Sequence, residues 1–372
     1  MKVPYLDLRV REKDRQQKLI RRLERVLRHG RIIEGPEVSE LETAIAERVG
    51  VRYAVGTASG SSALYLALKS IGIGKGDEVI TTPFTWVITA HAIAETGATP
   101  VFSDIGEDLN LDPDLIESKI TERTKAIVPM HVGGLLCDME RLCRIGKRHK
   151  LHIVEDAAQA IASSRSGKHA GCFSIVSAFS MNPMKVLHGY GEAGAVTTNS
   201  KQVFEKLKRY RHAGTQRDPS GRTANSCRFT SLNHKIDTLQ AAFILENLSR
   251  LDEVISKRDE IAELYDSTLP EEILLPMTST NEVHGRYLYL IRTKNRDALQ
   301  LFLSENGVES KIVYSPLLSD LRPYKQKEAL KLPKSRSAVK DTLSIPMHEN
   351  MTARQAKHVS NLIVYFLTKR KR

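Results

Sequence analysis

Two residues in this chain, Asp156 and Lys185, have types and settings that could do covalent chemistry together. Each follows a short apolar run. Leu151-His152-Ile153-Val154 leads into Glu155-Asp156-Ala157-Ala158-Gln159, and Ser174-Ile175-Val176-Ser177-Ala178-Phe179 leads into Ser180-Met181-Asn182-Pro183-Met184-Lys185. Short runs with β-branched residues, closed by turn chemistry, describe strands buried on both faces. In an open α/β sheet, ligands bind beyond the carboxyl ends of the strands. Both side chains are therefore expected in one crevice. A lysine amine forms a Schiff base with the aldehyde of pyridoxal phosphate, and a carboxylate keeps the pyridine nitrogen protonated so that the ring acts as an electron sink. A plain ion pair beside a solvated lysine is the alternative that the two residues alone leave open.

The neighbouring residues narrow the choice. Glu155-Asp156-Ala157-Ala158-Gln159-Ala160, Phe179-Ser180 through Lys185, and Gly191-Glu192-Ala193-Gly194 together resemble the signature of the DegT/DnrJ/EryC1/StrS aminotransferases. These are fold-type I enzymes that aminate keto groups on nucleotide-linked sugars, and the resemblance extends over nearly the whole chain. It implies that Lys185 carries pyridoxal 5'-phosphate as an internal aldimine, that Asp156 pairs with the ring nitrogen, and that Gln159 lies against the cofactor's hydroxyl side.

The elements that must position these groups are legible in order. Leu19, Ile20, Leu23, Val26 and Leu27 recur at helical spacing within a basic stretch, and Glu37 to Val49 carries a second amphipathic pattern. Tyr53 to Gly56 is a short strand, and Thr57-Ala58-Ser59-Gly60-Ser61-Ser62 then caps a helix. Such a turn leaves backbone N–H groups and hydroxyls aimed at an anion, although an ordinary serine cap has the same pattern. The family places the cofactor phosphate at the matching turn, so the resemblance assigns Gly60 and Ser61 to a phosphate cup completed by Ser180 and Asn233. After the strand Glu78 to Thr81, Trp86 lies on a loop where an aromatic could stack on a pyridine ring, and the family carries an aromatic there.

Further strand and helix alternation, through Pro100 to Ser103, Ala126 to His131 and the helix Met139 to His149, argues for a parallel sheet. The family usually has an aromatic where this chain has Gly133. Arg211 to Ser231 is a long polar connection with Gly214, Pro219 and Gly221, of a length that is either disordered or functional. Leu232-Asn233-His234-Lys235, ahead of Leu239-Gln240-Ala241-Ala242, resembles the family motif whose Asn reaches the neighbouring subunit's cofactor phosphate. Here His234 and Lys235 replace the usual aromatic and Arg, and Lys lacks the planar fork. Tyr287 to Ile291 and Val308 to Tyr314 are expected strands, with a helix from Asp297 to Gly307 between them. Leu317-Leu318-Ser319-Asp320 stands where the family often has a His.

Composition sets outer limits. The chain has 372 residues, 41% hydrophobic and 27% charged, which is an ordinary globular balance with room for a sizeable core. The net charge of +12 raises nucleic-acid binding, but no recognition motif accompanies it and much of it lies on an amphipathic helix. A general attraction for anionic substrates is the milder consequence. The first residues lack a secretory pattern, and no apolar stretch reaches the ~20 residues of a membrane span. Cys137, Cys143, Cys172 and Cys227 show no metal-ligand or redox spacing, so no metal is expected and the thiols suit a cytoplasmic protein.

The expected fold is α/β of fold type I. A large pyridoxal-phosphate-binding domain, residues 1–250, has a mostly parallel sheet flanked by helices, and a small α/β domain covers residues 251–372. The implied activity is a ping-pong aminotransferase, with pyridoxamine phosphate as the intermediate cofactor form. A nucleotide-linked ketosugar accepts the amine, glutamate or glutamine donates it, and a homodimer shares its active sites. The alternatives are amination of a cyclitol or other carbocyclic ketone, a pyridoxamine-dependent sugar dehydratase (with His188 near the lysine), and a non-enzymatic regulator on the same fold.

Overall fold

The computed structural model describes residues 1–217, 223–271, 273, 281–326 and 330–369. Two helices open the chain, α1 (Lys13–His29) and α2 (Pro36–Val49). Pro36 occupies the first turn of α2, where a missing N–H costs nothing, and left-handed glycines close both helices, Gly30 at φ 69° and Gly50 at φ 81°. Then follow β1 (Tyr53–Thr57), α3 (Gly60–Ser70), β2 (Glu78–Thr81), α4 (Ile88–Glu95), β3 (Thr99–Phe102), β4 (Thr124–Val128), α5 (Met139–His149) and β5 (His152–Asp156). A small hairpin, β6 (Ser164–Arg165) and β7 (Lys168–His169), precedes β8 (Val176–Ser180), β9 (Gly194–Thr198) and α6 (Lys201–Arg211).

Seven strands form one sheet in the order β1-β9-β8-β5-β4-β2-β3. From β8 to β3 neighbours pair in parallel, while β9 runs against both β8 and β1. The expected mostly parallel sheet is present, with one reversed strand. An antiparallel neighbour needs no crossover helix, so the turn from β8 to β9 is free to carry Lys185. Val55, Val79, Val128, Val154, Val176 and Val196 face α3 and α6 on one side of the sheet. Phe179 and Ala195 pack on the other side with Leu41 and Ile45 of α2 and Ala241 and Ile244 of the next helix.

The remaining elements are β10 (Thr215–Arg217), β11 (Thr223–Cys227), α7 (Thr238–Leu248), α8 (Leu251–Thr268), β12 (Glu282–Val283), β13 (Tyr289–Arg292), α9 (Arg296–Glu305), α10 (Pro333–Asp341), β14 (Thr342–Ile345) and α11 (Ala353–Lys369). The polar connection after α6 contains the antiparallel pair β10 and β11; Pro219 and Gly221 lie outside the described residues. The strand expected over Val308 to Tyr314 does not form. Val308 bridges to Val3 and Lys311 to Ser344, so the segment meets two partners in turn and no continuous ladder develops. β13 pairs with β14 instead. Around that pair, Tyr265, Leu303, Ile363 and the N-terminal Val3 make a second core. α8 links the two bodies, with Leu251 and Val254 in the first core and Ile261 and Tyr265 in the second. Among the described residues, no helix is long and apolar enough to cross a membrane.

Candidate active site

β5 runs past its apolar run through Glu155 and Asp156. Successive side chains of a strand point to opposite faces, and both carboxylates are buried, Glu155 at 0% and Asp156 at 6% exposure. Glu155 is fully provided for. One of its oxygens meets His131 Nε2 at 3.2 Å and the Gly171 N–H at 2.8 Å; the other accepts from the Phe173 N–H at 3.2 Å and the hydroxyls of Ser174 at 2.8 Å and Ser177 at 3.1 Å. Burial alone would raise its pKa, yet these partners outweigh it and hold the carboxyl below its ordinary value. The Cys137 N–H donates to His131 Nδ1 at 3.2 Å, which leaves the imidazole proton on Nε2 to donate to Glu155.

Asp156 is treated differently. It accepts from Thr89 Oγ1 at 2.8 Å and from the Ala158 N–H at 3.2 Å. Burial pushes its pKa up despite those bonds and the attraction of Lys185 and His131. Lys185 follows the end of β8, on a turn closed by its own N–H to the Asn182 carbonyl at 2.8 Å. Its half-buried side chain places Nζ 4.3 Å from the centre of the Tyr287 ring. Burial lowers the amine to about 8, against Asp156 and Glu192, which raise it. Lys185 and Asp156 attract each other across the crevice without a direct ion pair, and each is shifted towards its neutral form.

The expected cup residues of β8 and α3, Ser180 and Gly60, lie against each other. Ser59 caps α3, accepting from the Ser62 N–H at 3.1 Å, and the first-turn amides ahead of it point outward. A Cβ on Gly60 would lie 2.5 Å from Ser180 Cβ, and one on Gly194 would lie 2.5 Å from the Ser59 carbonyl oxygen. Glycine at both positions lets β8, β9 and the start of α3 close on one another, which brings Ser180 against Gly60, with Ser61 next along α3. Trp86 is 63% exposed on its loop. Gln159 is held at both ends: its Oε1 accepts from the Gly133 N–H at 2.8 Å, and its Nε2 donates to Tyr314 Oη at 2.6 Å. Its second N–H remains available to a ligand. Asn233 is exposed, its side-chain oxygen accepting from the Lys235 N–H at 3.3 Å, and among the described residues its side chain makes no hydrogen bond to the cradle, although the next residue, His234, bonds Ala58 and Ser62 there.

Sequence reasoning missed three contributors: Thr89, Tyr287 and Tyr314. Tyr314 adopts φ 58° and stacks edge-on with Phe84 at 5.1 Å. None of them belongs to a motif, and the only available signal was the repetition of Thr85 and Thr89 beside Trp86. Gly133 adopts φ 64° and its carbonyl accepts from the Tyr287 N–H at 3.0 Å and the Leu288 N–H at 3.1 Å; backbone from the second body thus seals this side. His188 is 4% exposed, its Nδ1 on the Gly189 carbonyl at 2.8 Å and its ring against Tyr190.

The donor set fits pyridoxal phosphate: an anion cradle, a buried acid with an unfilled side, an exposed aromatic, and an amine without a hydrogen-bond partner among the described residues. Comparison with known proteins points the same way. The model of the DegT/DnrJ/EryC1/StrS aminotransferase family matches residues 13–364. A "Pleiotropic regulatory protein" of Geobacillus stearothermophilus is 37% identical over 377 residues, covering 98% of this chain and 99% of that one. The UDP-2-acetamido-2-deoxy-3-oxo-D-glucuronate aminotransferase of Pseudomonas aeruginosa is 36% identical over 349 residues, covering 93% and 95%. The crystal structure of S. venezuelae DesV superposes with a TM-score of 0.93 at 34% identity, covering 98% of each chain.

Proposed function

The chain belongs to the DegT/DnrJ/EryC1/StrS aminotransferase family, and from that premise we propose that it aminates a keto group of a nucleotide-linked deoxysugar, with glutamate or glutamine as donor. It is a pyridoxal-phosphate-dependent sugar aminotransferase. The observation that carries the finer reading is the separation of Lys185 from Asp156 beside the Gly60, Ser61 and Ser180 cradle, together with the nucleotide-linked substrates in the names of several relatives.

When bound, the cofactor condenses with amines and draws electrons from the adjacent carbon through its protonated ring. This chain's residues do the rest. The cradle would hold the phosphate, Trp86 would cover one ring face, Gln159 would offer its free N–H to the hydroxyl side, and Asp156 would keep the ring nitrogen's proton. Lys185 Nζ would hold the cofactor's aldehyde end and, once free of it, would serve as the base that takes the proton from the donor's Cα. A base must be neutral to accept that proton, and an amine lowered to about 8 reaches that state far nearer neutrality than a solvated lysine. The reaction is ping-pong: the donor leaves its amine at the site and departs as a keto acid, and the ketosugar then takes the amine.

Asn233 acts across a homodimer interface, supplying the partner subunit's cradle; exposed Ile20, Leu27 and Leu232 are apolar surface available to such an interface. Four free thiols suit the reducing cytoplasm. A regulatory role without catalysis is disfavoured because such a role has no need of both Asp156 and Lys185. The test is a panel of nucleotide-linked 3-keto and 4-keto sugars, each offered with glutamate and with glutamine. An aminated nucleotide sugar is expected; amination of a carbocyclic ketone alone would replace this reading with the cyclitol one.

A further inference from the structure

Trp86 lies between two buried threonines, Thr85 at 2% exposure and Thr89 at 1%. Their hydroxyl oxygens are 2.9 Å apart. Thr89 Oγ1 donates to Asp156 Oδ2 at 2.8 Å, which uses its single hydroxyl proton, so Thr85 is the donor to Thr89. The chain therefore runs one way, Thr85 to Thr89 to Asp156. A threonine in a helix commonly turns its hydroxyl back to the carbonyl one turn earlier; Thr89 instead reaches a residue 67 positions away. Its backbone N–H meanwhile donates to the Trp86 carbonyl at 3.1 Å. One residue thus grips both the aromatic's loop and the acid.

We propose that Thr89 is a positioning residue that ties the Trp86 loop to Asp156, fixing the carboxylate through its hydroxyl and the aromatic's loop through its backbone. The inference rests on Asp156 being the ring-nitrogen partner. Asp156 has few other fixed donors: Ala158 N–H on its own loop, with Lys185 and His131 acting only through their field. Without Thr89 Oγ1, the carboxylate loses the stronger of its two hydrogen bonds and the restraint on its rotamer. Thr85 supports the arrangement from behind, since a hydroxyl that accepts a hydrogen bond donates more strongly.

Trp86 is the sole tryptophan, so quenching of its fluorescence reports cofactor binding without any turnover. Dissociation constants are measured for pyridoxal phosphate and for 1-deazapyridoxal phosphate, which lacks the ring nitrogen. Thr89→Val keeps the shape and removes the donor. It is expected to weaken pyridoxal phosphate roughly ten- to hundredfold, the range for a hydrogen bond to a charged group, while the deaza analogue changes little. Thr89→Ser recovers most of the loss, and Thr85→Val shows the same selectivity to a smaller degree. Equal weakening of both compounds without recovery in Thr89→Ser means a packing role and overturns the inference, as does unchanged affinity. Should Thr89→Val fail to fold, Thr89→Ala is put through the same comparison. Borohydride reduction of wild type separates the two levels. Wild type that fixes no cofactor fails the reading of the site and this inference with it, whereas fixation without selectivity in the variants fails the inference alone.

Discussion

Glu155 and Asp156 are adjacent carboxylates on one strand, and the two faces of the sheet treat them in opposite ways. The Glu155 side has five donors, a buried histidine among them, enough to hold the charge below its ordinary pKa despite complete burial. The Asp156 side has two donors and leaves the carboxyl above its ordinary value. A carboxylate whose lone pairs are filled is structure. One that is buried and under-supplied stores unfavourable free energy that a cationic ligand can relieve. Identical chemistry at consecutive positions is thus fully supplied with donors on one face and left under-supplied on the other.

The largest effect expected on the Asp156 face comes from Lys185→Ala. Removing the proton carrier should lower turnover by about 10²–10⁴-fold or more, while the cradle and Asp156 still hold cofactor non-covalently. Borohydride should then fix none of it. Fixation in this variant would transfer the anchor to another lysine, with exposed Lys168 on β7 the first to examine.

Next is the comparison itself. Asp156→Asn should keep cofactor and slow turnover severely, because a neutral amide cannot hold the ring nitrogen's proton. Glu155→Gln should cost about 1–3 kcal/mol of stability by leaving buried donors unpaired, with turnover per folded molecule largely kept. Chemical denaturation of the apoproteins across pH adds the sign. Glu155, lowered from 4.5, contributes stability that is present above that value and lost as pH falls through its depressed one. Asp156, raised from 3.8, does the reverse: the apoprotein loses stability as pH rises from there through the elevated value, and Asp156→Asn lacks that loss. Parallel pH curves for the two variants would erase the distinction between the faces.

The smallest effect expected is that of Asn233→Ala, which removes one phosphate contact. Cofactor retention should fall about ten- to hundredfold, in line with one hydrogen bond to a charged group, and equilibrium dialysis reads it directly. A protein that sediments as a monomer while fully active would withdraw Asn233 from the partner's site.

Much of this was legible beforehand because it is local. β2 and α5 occupy the positions expected from their apolar runs and caps. Most other elements of the first body shift by a few residues, and β5 runs on through Asp156 because its backbone stays paired there with Ser177 and Ala178 of β8. α11 and the pair of β13 with β14 were not foreseen in full. The expected strand after Val308 failed because its two bridging partners, Val3 and Ser344, come from opposite ends of the chain.

By itself the sequence determined the alternation that builds the sheet, the strand ends at which Asp156 and Lys185 emerge, and the glycines that let Ser180 approach α3, since each depends on periodicity or backbone freedom within a few residues. Tertiary structure alone decided how differently the two adjacent carboxylates are supplied with donors. That difference depends on who donates to each oxygen. Thr89 reaches Asp156 across 67 positions and Ser174 reaches Glu155 across 19, and hydrogen bonds between residues so separated leave no periodic trace in the chain that makes them.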